Sequence, residues 1–230
     1  MTTSGSVVAT LTGASENITI TNNSGSNTYT FSASGSFTFD YVDDAGNTGS
    51  TTATVNWIDV TPPTASVTYS TTGATNQNVI ATLTGASEAI TITNNSGSNL
   101  YTFTTNGSFT FTFVDGAGNT GSTTATVANI DTTLPVVTLV GSGVLSVLSG
   151  SVYSESGATW TDNVDGSGVI LTPTTGSVNT SATGTYILTY RYVDTAGNTG
   201  STTRTVNVIA APDVTPPTAS VTYSTTGATN

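Results

Sequence analysis

The sequence predicts an all-β protein built from tandem sandwich modules, and three observations lead to this prediction. Threonine accounts for 55 of the 230 residues, and the chain holds 24 glycines and 35% hydrophobic residues. Threonine and valine favour strands, whereas glycine favours turns. Apolar residues alternate with threonine over short segments, and long stretches of the chain repeat one another. These patterns indicate short, half-buried strands arranged in repeated units.

The alternating segments have the period of two that is typical of a strand with one buried face. They place apolar side chains on one face and mostly threonine on the other at residues 65–69, 79–83, 90–92, 101–103 and 109–113. Asn-Gly, Ser-Gly and Gly-Asn pairs separate these segments, and no segment shows helical periodicity. Modules of about 70 to 80 residues, with a turn every 8 to 12 residues or so, have the pattern of an immunoglobulin-like (Ig-like) sandwich.

Internal repeats define the modules. Residues 7–59 align with residues 79–131 at a shift of 72, and 42 of the 53 aligned positions are identical. A third, divergent module carries the same closing pattern at residues 192–203. Such a repeat predicts small domains in tandem, each with its own core. We therefore predict modules at residues 1–59, 60–131 and 132–212, followed by part of a fourth module at residues 213–230.

The two ends of the chain complement each other. Residues 213–230 repeat residues 59–76 without a difference, so they carry the linker and first strand, strand A, of a fourth module. The first module begins where the second has Gly73, so it lacks both parts. A sandwich without strand A exposes a strand edge, and a strand from another chain can fill it.

This arrangement predicts that the chain's partner is itself. Because donor and acceptor lie at opposite ends, the contact would build an open head-to-tail homopolymer. Val221 and Tyr223 would fill the sites that Val67 and Tyr69 fill in module two. The residues assigned to the polymerisation strand are Val214, Ala219, Val221 and Tyr223. The alternative is that the chain is a segment of a longer covalent array.

Composition excludes most catalytic and nucleic-acid functions. The chain has neither Cys nor His, and its two cationic residues are Arg191 and Arg204. Thiol or histidine nucleophilic chemistry and the usual zinc sites are therefore excluded, and no catalytic residue is predicted. A formal net charge of −11 argues against nucleic-acid binding. No apolar run reaches the roughly 18 residues of a membrane span, so no membrane insertion is predicted for this segment.

The acidic residues recur at turns and module junctions. An odd number of crossing strands, for example seven, would bring the linker, the second-to-third-strand loop and the last hairpin of a module to one pole. Under that topology Asp59, Glu88 and Asp115 converge in module two. In module three, Asp131 and Asp194 would meet either Asp162 or Asp165. In module one, Glu16 and Asp43 would be completed by Asp213 of a neighbouring chain.

Clustered carboxylates without a cation repel one another, and a divalent ion with oxygen ligands relieves that repulsion. We therefore predict Ca²⁺ at these ten residues. The alternative is that each acid only caps a turn or solvates a loop. Because the acids are scattered in sequence, their spacing is less specific than that of an EF-hand loop.

Two family resemblances follow from local motifs. Modules one and two resemble the bacterial Ig-like repeats of large surface adhesins through residues 59–63 and 113–121, which read DVTPP and FVDGAGNTG. Module three resembles the Ig-like family found beside hyalin-type repeats and in some crystal toxins. Its motifs lie at residues 157–166, 176–180, 184–190 and 203–206. It departs from that family at Trp160, where a small residue is usual.

These resemblances imply an exported structural array rather than a catalyst, with calcium at domain junctions. We therefore predict an extracellular, cell-surface protein: a subunit of a bacterial fibre or adhesin stalk. The alternatives are a glycan-binding module and a virion or tail-fibre protein of a phage. The sequence identifies neither a glycan nor a host receptor.

Overall fold

A computed structural model describes residues 2–223 of the chain. The chain divides into two compact units, Met1–Thr132 and Thr133–Asn230. The described residues form seventeen β-strands and two short 3₁₀ turns. The predicted all-β, Ig-like fold class is confirmed.

Module two lies in the first unit and is a complete sandwich. One sheet has the strand order β6-β7-β9 and the other has the order β11-β10-β8, with antiparallel pairing throughout. The strands are β6 Ser66–Tyr69, β7 Val79–Thr84, β8 Ile90–Ile92, β9 Leu100–Phe103, β10 Gly107–Asp115 and β11 Thr120–Val127. Their inner faces bury a core around Val79, Phe111 and Phe113, each at most 1% exposed.

Module one, in the same unit, repeats this arrangement with one strand fewer. Its strands are β1 Val7–Thr10, β2 Ile18–Ile20, β3 Thr28–Phe31, β4 Gly35–Asp43 and β5 Thr48–Val55. The sheet β2-β4-β5 corresponds to β8-β10-β11 of module two, but the other sheet contains β1 and β3 alone. Within the described residues, β1 pairs with β3 on one side and leaves its other edge open.

The expected seventh strand is absent from module two, where residues 93–99 form a turn instead. Asn95 and Ser96 adopt left-handed conformations, with φ of 51° and 53°. The side chain of Asn94 donates to the carbonyl of Thr110 at 2.7 Å and accepts from the N–H of Thr112 at 3.1 Å. An amide side chain thus extends the ladder where β8 ends, and module one repeats the turn at Asn23–Gly25.

The chain enters and leaves module two at opposite poles. Thr75, which follows β6, forms a parallel bridge with Ile130 beyond the last strand. The N–H of Asp131 completes this bridge by donating to the carbonyl of Thr75 at 2.9 Å. Module one forms the same parallel bridge between Thr3 and Ile58.

The second unit contains module three. Its sheets have the strand orders β12-β14-β15 and β13-β17-β16, and β13 runs parallel to β17. The strands are β12 Val136–Leu139, β13 Val144–Leu148, β14 Ala158–Asp162, β15 Gly166–Ile170, β16 Gly184–Val193 and β17 Thr199–Ile209. The core is built around Ala158, Leu188, Tyr190 and Val206.

A buried ion pair fixes the segment that leads into β14. Arg204 on β17 is fully buried and forms a salt bridge with Glu155. The guanidinium also donates to the carbonyl of Val140 at 2.5 Å and to that of Gly157 at 3.3 Å. Burial raises the pKa of Glu155, but hydrogen bonds from Tyr153 and the charge of Arg204 outweigh it and hold that pKa below its ordinary value.

Residues 210–223 follow β17 without regular structure. Val214, Val221 and Tyr223 are 87%, 77% and 84% exposed. Ala219 is exposed as well. The four residues assigned to the polymerisation strand are therefore accessible, and the rest of that predicted segment, residues 224–230, lies outside the described residues.

Candidate strand-acceptor groove and metal site

Module two shows how a first strand is held. Strand β6 lies antiparallel to β7, with Val67 opposite Leu83 and Tyr69 opposite Ala81. Both β6 side chains pack against the core cluster. The hydroxyl of Tyr69 also accepts the N–H of Thr126 at 3.0 Å, which links β6 to the opposite sheet.

The linker before β6 is anchored by side chains of the groove. Thr64 and Ser87 form a reciprocal pair: the N–H of Thr64 donates to Ser87 Oγ at 3.0 Å, and the N–H of Ser87 donates to the carbonyl of Thr64 at 2.8 Å. Thr123 Oγ1 donates to the carbonyl of Ala65 at 2.8 Å. These bonds fix the register of strand A before its apolar residues reach the core.

The start of the linker lies against the last hairpin. Asn119 Nδ2 donates to the carbonyl of Asp59 at 2.9 Å. The carbonyl oxygen of Pro63 would lie 2.2 Å from a Cβ atom added to Gly121, and the ring of Phe113 would lie 2.5 Å from it. Only glycine therefore lets the linker and the aromatic ring meet at this position.

In module one the corresponding groove is open. It forms a cavity of about 350 Å³ bounded by the end of β1, the following loop, β4 and β5. Its lining residues are Leu11, Thr12, Gly13, Ala14, Ser15, Glu16, Ile18, Tyr41, Asp43, Asn47, Thr48, Gly49 and Thr51. These positions correspond to the residues that surround the linker and β6 in module two.

Equivalent core side chains are less buried in module one, which lacks the first strand, than in module two. Val79 and Ala81 on β7 are fully buried, whereas Val7 and Ala9 on β1 remain partly exposed. Because these side chains are the same in both modules, the difference comes from what covers them. Among the groove-lining positions, the two modules differ in sequence at one: Tyr41 stands where module two has Phe113.

The predicted acidic cluster of module two is assembled at the junction with module one. Carboxylate oxygens of Asp59, Glu88 and Asp115 all lie within 4.8 Å of one another. Desolvation raises the pKa of Glu88, and the charges of Asp59 and Asp115 raise it further. Burial also raises the pKa of Asp115, but hydrogen bonds from Asn119 and Ala117 outweigh it, so the pKa of Asp115 is lowered.

This geometry fits a calcium ion. Calcium binds oxygen ligands at roughly 2.3–2.6 Å, so two ligands on opposite sides of one ion are about 5 Å apart. Three oxygens within 4.8 Å of one another can share such an ion. Desolvation and repulsion from Asp59 and Asp115 raise the pKa of Glu88, and a cation at this position would offset that repulsion.

In module three the structure distinguishes between the two alternative acids. Carboxylate oxygens of Asp162 and Asp194 lie within 4.8 Å of each other. Asp165 instead accepts the hydroxyl of Tyr192 at 3.1 Å and the N–H and hydroxyl of Thr195 at 2.9 and 2.7 Å. Asp165 therefore ties two hairpins together. Asp131 belongs to the first unit and remains a predicted ligand.

The acids assigned to module one lie at its groove. Glu16 and Asp43 both line the cavity, and Asn47 Nδ2 donates to Asp43 Oδ2 at 2.7 Å. Asp213, in the second unit, accepts the N–H of Thr215 at 2.9 Å, as Asp59 accepts that of Thr61 at 3.0 Å. The junction turn thus forms in the tail, and its meeting with Glu16 and Asp43 of a neighbour remains a prediction.

Sequence reasoning missed the side chains that hold the linker. Ser87, Asn119 and Thr123 do this work in module two. Asn119 and Thr123 belong to the string AGNTGSTT, which recurs in all three modules. These two polar side chains lie at a fixed spacing after a hairpin turn, and this pattern could have indicated the contacts that hold the linker.

The fold places the chain in the class of Ig-like sandwich proteins, and comparison with known proteins agrees with this class. Residues 137–208 match the family described as "Bacterial surface protein, Ig-like domain". The chain is 33% identical over 213 residues to hyalin of Lytechinus variegatus, covering 80% of this chain and 38% of that protein. Both families named from the sequence are thereby found, although the bacterial surface match lies in module three rather than in modules one and two.

A second hyalin, from Strongylocentrotus purpuratus, is 33% identical over 210 residues, covering 80% of this chain and 17% of that protein. The chain thus spans well under half of the curated relatives that it matches. A solved structure titled "Protocadherin gammaB7 EC3-6 cis-dimer structure" is 12% identical, with a TM-score of 0.30, covering 90% of this chain and 67% of that chain.

The matched families point to an extracellular or surface location and an adhesion-type Ig-like protein. Such families are typically non-enzymatic. Within residues 2–223, no helix has the length and apolar character needed to cross a membrane.

Proposed function

We propose that this protein is a structural, non-catalytic subunit of an extracellular fibre or adhesin stalk. Each copy donates strand A from its tail to module one of the next copy, and calcium stiffens the junctions. One observation carries the proposal. Module two holds residues 59–69 in a groove, and module one presents the same groove, open, while the tail carries the same residues again.

The contacts of module two give the register of the donated strand. By that register, Val221 lies opposite Leu11 and Tyr223 lies opposite Ala9, so that both side chains reach the exposed part of the core. The ladder closes the free edge of β1, which otherwise favours non-specific pairing. Main-chain bonds provide affinity in this mode of recognition, and alternate side chains provide specificity.

The linker of the donated segment has its own anchors in module one. Thr51 stands where Thr123 binds the carbonyl of Ala65, so it would donate to the carbonyl of Ala219. Asn47 stands where Asn119 binds the carbonyl of Asp59, so it would donate to Asp213. Val214 takes the place of Val60 in this linker, at the exposed start of the segment.

Strand donation and calcium binding support each other in this proposal. A docked tail would bring Asp213 to Glu16 and Asp43, which reproduces the cluster of Asp59, Glu88 and Asp115. A joint between two molecules would then have the same chemistry as the joint between modules one and two. The cation offsets the repulsion that would otherwise oppose docking.

A glycan-binding role is less well supported, because Trp160 and Tyr29 are already stacked on other rings. Trp160 lies 3.6 Å from Tyr192, ring centre to ring centre, and its indole also lies against Gly168. Tyr29 stacks on Phe37 at 3.8 Å. Their faces are therefore committed to packing inside the protein.

Electron microscopy of the full chain tests the proposal. In the presence of calcium we expect filaments from the parent chain, and none from a Val221→Asp variant, because a charge would enter the core. Thr222→Asp is the matched control: the counterpart Thr68 is exposed, so filaments should persist. A chelator should shorten or dissolve the filaments.

Two results would decide against the proposal. Monodisperse particles of the parent chain in every condition would favour the alternative of a segment from a covalent array. Filaments that persist in Val221→Asp would show that assembly uses another surface.

A further inference from the structure

Tyr41 is the one groove-lining residue that distinguishes the open module from its closed twin. The Tyr41 ring packs against Gly49, as the Phe113 ring packs against Gly121. A Cβ atom added to Gly49 would lie 2.5 Å from the Tyr41 ring. Its hydroxyl lies 3.0 Å from Thr51 Oγ1, and either oxygen can donate. The substitution therefore adds one hydroxyl group and leaves the ring in place.

The threonine beside this ring has different partners in the two modules. In module two, Thr123 Oγ1 donates to the carbonyl of Ala65 on the first strand. In module one, Thr51 has the Tyr41 hydroxyl as its partner. The hydroxyl of Tyr41 thus engages the group that strand A would otherwise contact.

A tyrosine side chain suits a groove that is exposed to water until a strand binds in it. Phe113 is 1% exposed beneath its linker, whereas Tyr41 is only partly buried. A phenylalanine in the open groove would present apolar area to water, which favours non-specific association. A hydroxyl that is later buried must keep a hydrogen-bond partner, since an unsatisfied buried hydroxyl would weaken strand binding.

Thr51 can supply that partner without losing the strand. A threonine hydroxyl has one proton to donate and lone pairs to accept with. It can therefore accept from Tyr41 and donate to the carbonyl of Ala219 at the same time. Docking would fix the direction of a bond that is free to reverse in the open groove.

We infer that the Tyr41–Thr51 hydroxyl pair is the specificity-determining element of the acceptor groove. It keeps the open groove hydrated, and it orients the Thr51 proton toward the carbonyl of Ala219 when the strand arrives. This inference rests on the proposed strand donation and concerns how the groove binds. The pair weakens strand binding relative to the Phe113 type of groove and makes it dependent on one specific carbonyl contact.

The experiment measures binding of a fluorescein-labelled peptide of residues 213–223 by anisotropy. The acceptor is the full chain with Val221→Asp, whose own tail cannot compete. Tyr41→Phe should tighten binding about threefold to tenfold, because no hydroxyl has to be buried. Thr51→Val should weaken binding about tenfold, because it removes the bond to Ala219 and isolates the Tyr41 hydroxyl.

The two substitutions should also be coupled. In the Tyr41→Phe background, Thr51→Val should cost only about threefold, since no phenol is then left without a partner. Thr52→Val is the matched control, because its hydroxyl pairs with Thr38 on the outer face at 2.8 Å, and peptide affinity should not change.

The outcomes separate this inference from the proposed function. If no acceptor binds the peptide, strand donation fails and the inference fails with it. If the peptide binds Tyr41→Phe no more tightly than the parent groove, or if Thr51→Val costs the same in both backgrounds, strand donation stands and the role of the hydroxyl pair is overturned.

Discussion

Modules one and two share 42 of 53 aligned residues, yet one core is closed and the other is open. Val79 and Ala81 are fully buried, while the same residues in module one, Val7 and Ala9, keep part of their surface exposed. The difference teaches that completeness of this sandwich core depends on one short strand, which module two has as β6 and module one lacks within the described residues.

The tail provides the other half of this comparison. Val67 and Val221 occupy identical sequence segments, but Val67 packs against a core whereas Val221 is 77% exposed. The same sequence segment is therefore packed against a core at residues 59–69 and exposed at residues 213–223 of one chain.

The largest effect should come from one substitution made in the two contexts. Val67→Asp places an unpaired charge against the core of module two and should lower its unfolding free energy by about 4 kcal/mol. Val221→Asp should leave the stability of the unassembled chain unchanged. Thermal or denaturant unfolding in chelator, where the chains stay apart, measures both. Equal losses for the two variants would contradict the assignment of β6 as a core strand.

Module three should lose stability when its ion pair is broken. Glu155→Gln leaves Arg204 buried without its countercharge, and we expect a loss of about 3 kcal/mol. Modules one and two contain no cationic residue, so their unfolding should not change. Circular dichroism resolves the transitions, and Glu16→Gln, at the rim of the groove, is the control. A single transition that shifts uniformly would show that the modules unfold together.

The same pair predicts a pH dependence. The folded pKa of Glu155 lies below the ordinary value of 4.5, so its ionised form stabilises the folded state. This stability is fully present above the ordinary glutamate pKa and is lost as the pH falls through the lowered folded value. Module three should therefore unfold in acid, and Glu155→Gln should remove this part of the pH dependence. An unchanged acid transition in the variant would assign it to other carboxylates.

The sequence predicted five of the six strands of module two, because their apolar residues alternate with threonine. It also predicted that Asp59, Glu88 and Asp115 meet, because acids recur at the linker and turns that lie at one pole when the chain enters and leaves a module at opposite poles. The seventh strand was wrong, since residues 93–99 read only as turn punctuation, and left-handed Asn95 is visible only in three dimensions. The role of Glu155 could not be predicted, because its contacts with β17 are distant in sequence.

Calcium should reverse the effect of a substitution at the junction. The pKa of Glu88 is raised, so its charge opposes folding above the ordinary glutamate pKa in the absence of a cation. Glu88→Gln should therefore stabilise the chain slightly in chelator. In calcium, Glu88→Gln should destabilise the chain, because a calcium ligand is lost and the affinity for calcium falls about tenfold. Calorimetric titration and unfolding with and without calcium measure both signs.

Glu16→Gln is the matched control in module one. Within the described residues Glu16 belongs to no cluster of three carboxylates, so in the unassembled chain its substitution should leave calcium affinity unchanged. In assembled filaments, Glu16→Gln should weaken calcium binding, as Glu88→Gln does at the junction between modules one and two. If Glu88→Gln destabilises the chain by the same amount with and without calcium, the acidic cluster does not bind calcium and its acids only cap turns.

The smallest effect is expected at the clamp that ends each twin module. The Asn106 amide donates to the carbonyl of Ile130 and accepts its N–H, both at 2.8 Å. In module one the single hydroxyl of Ser34 makes both contacts with Ile58, at 2.8 and 3.1 Å. Asn106→Ser should therefore cost only about 0.5 kcal/mol in unfolding free energy, whereas Asn106→Ala should cost about 1.5 kcal/mol, because both backbone groups lose their partner. Equal losses for the two variants, measured by denaturant unfolding, would show that serine cannot replace the amide outside its own module.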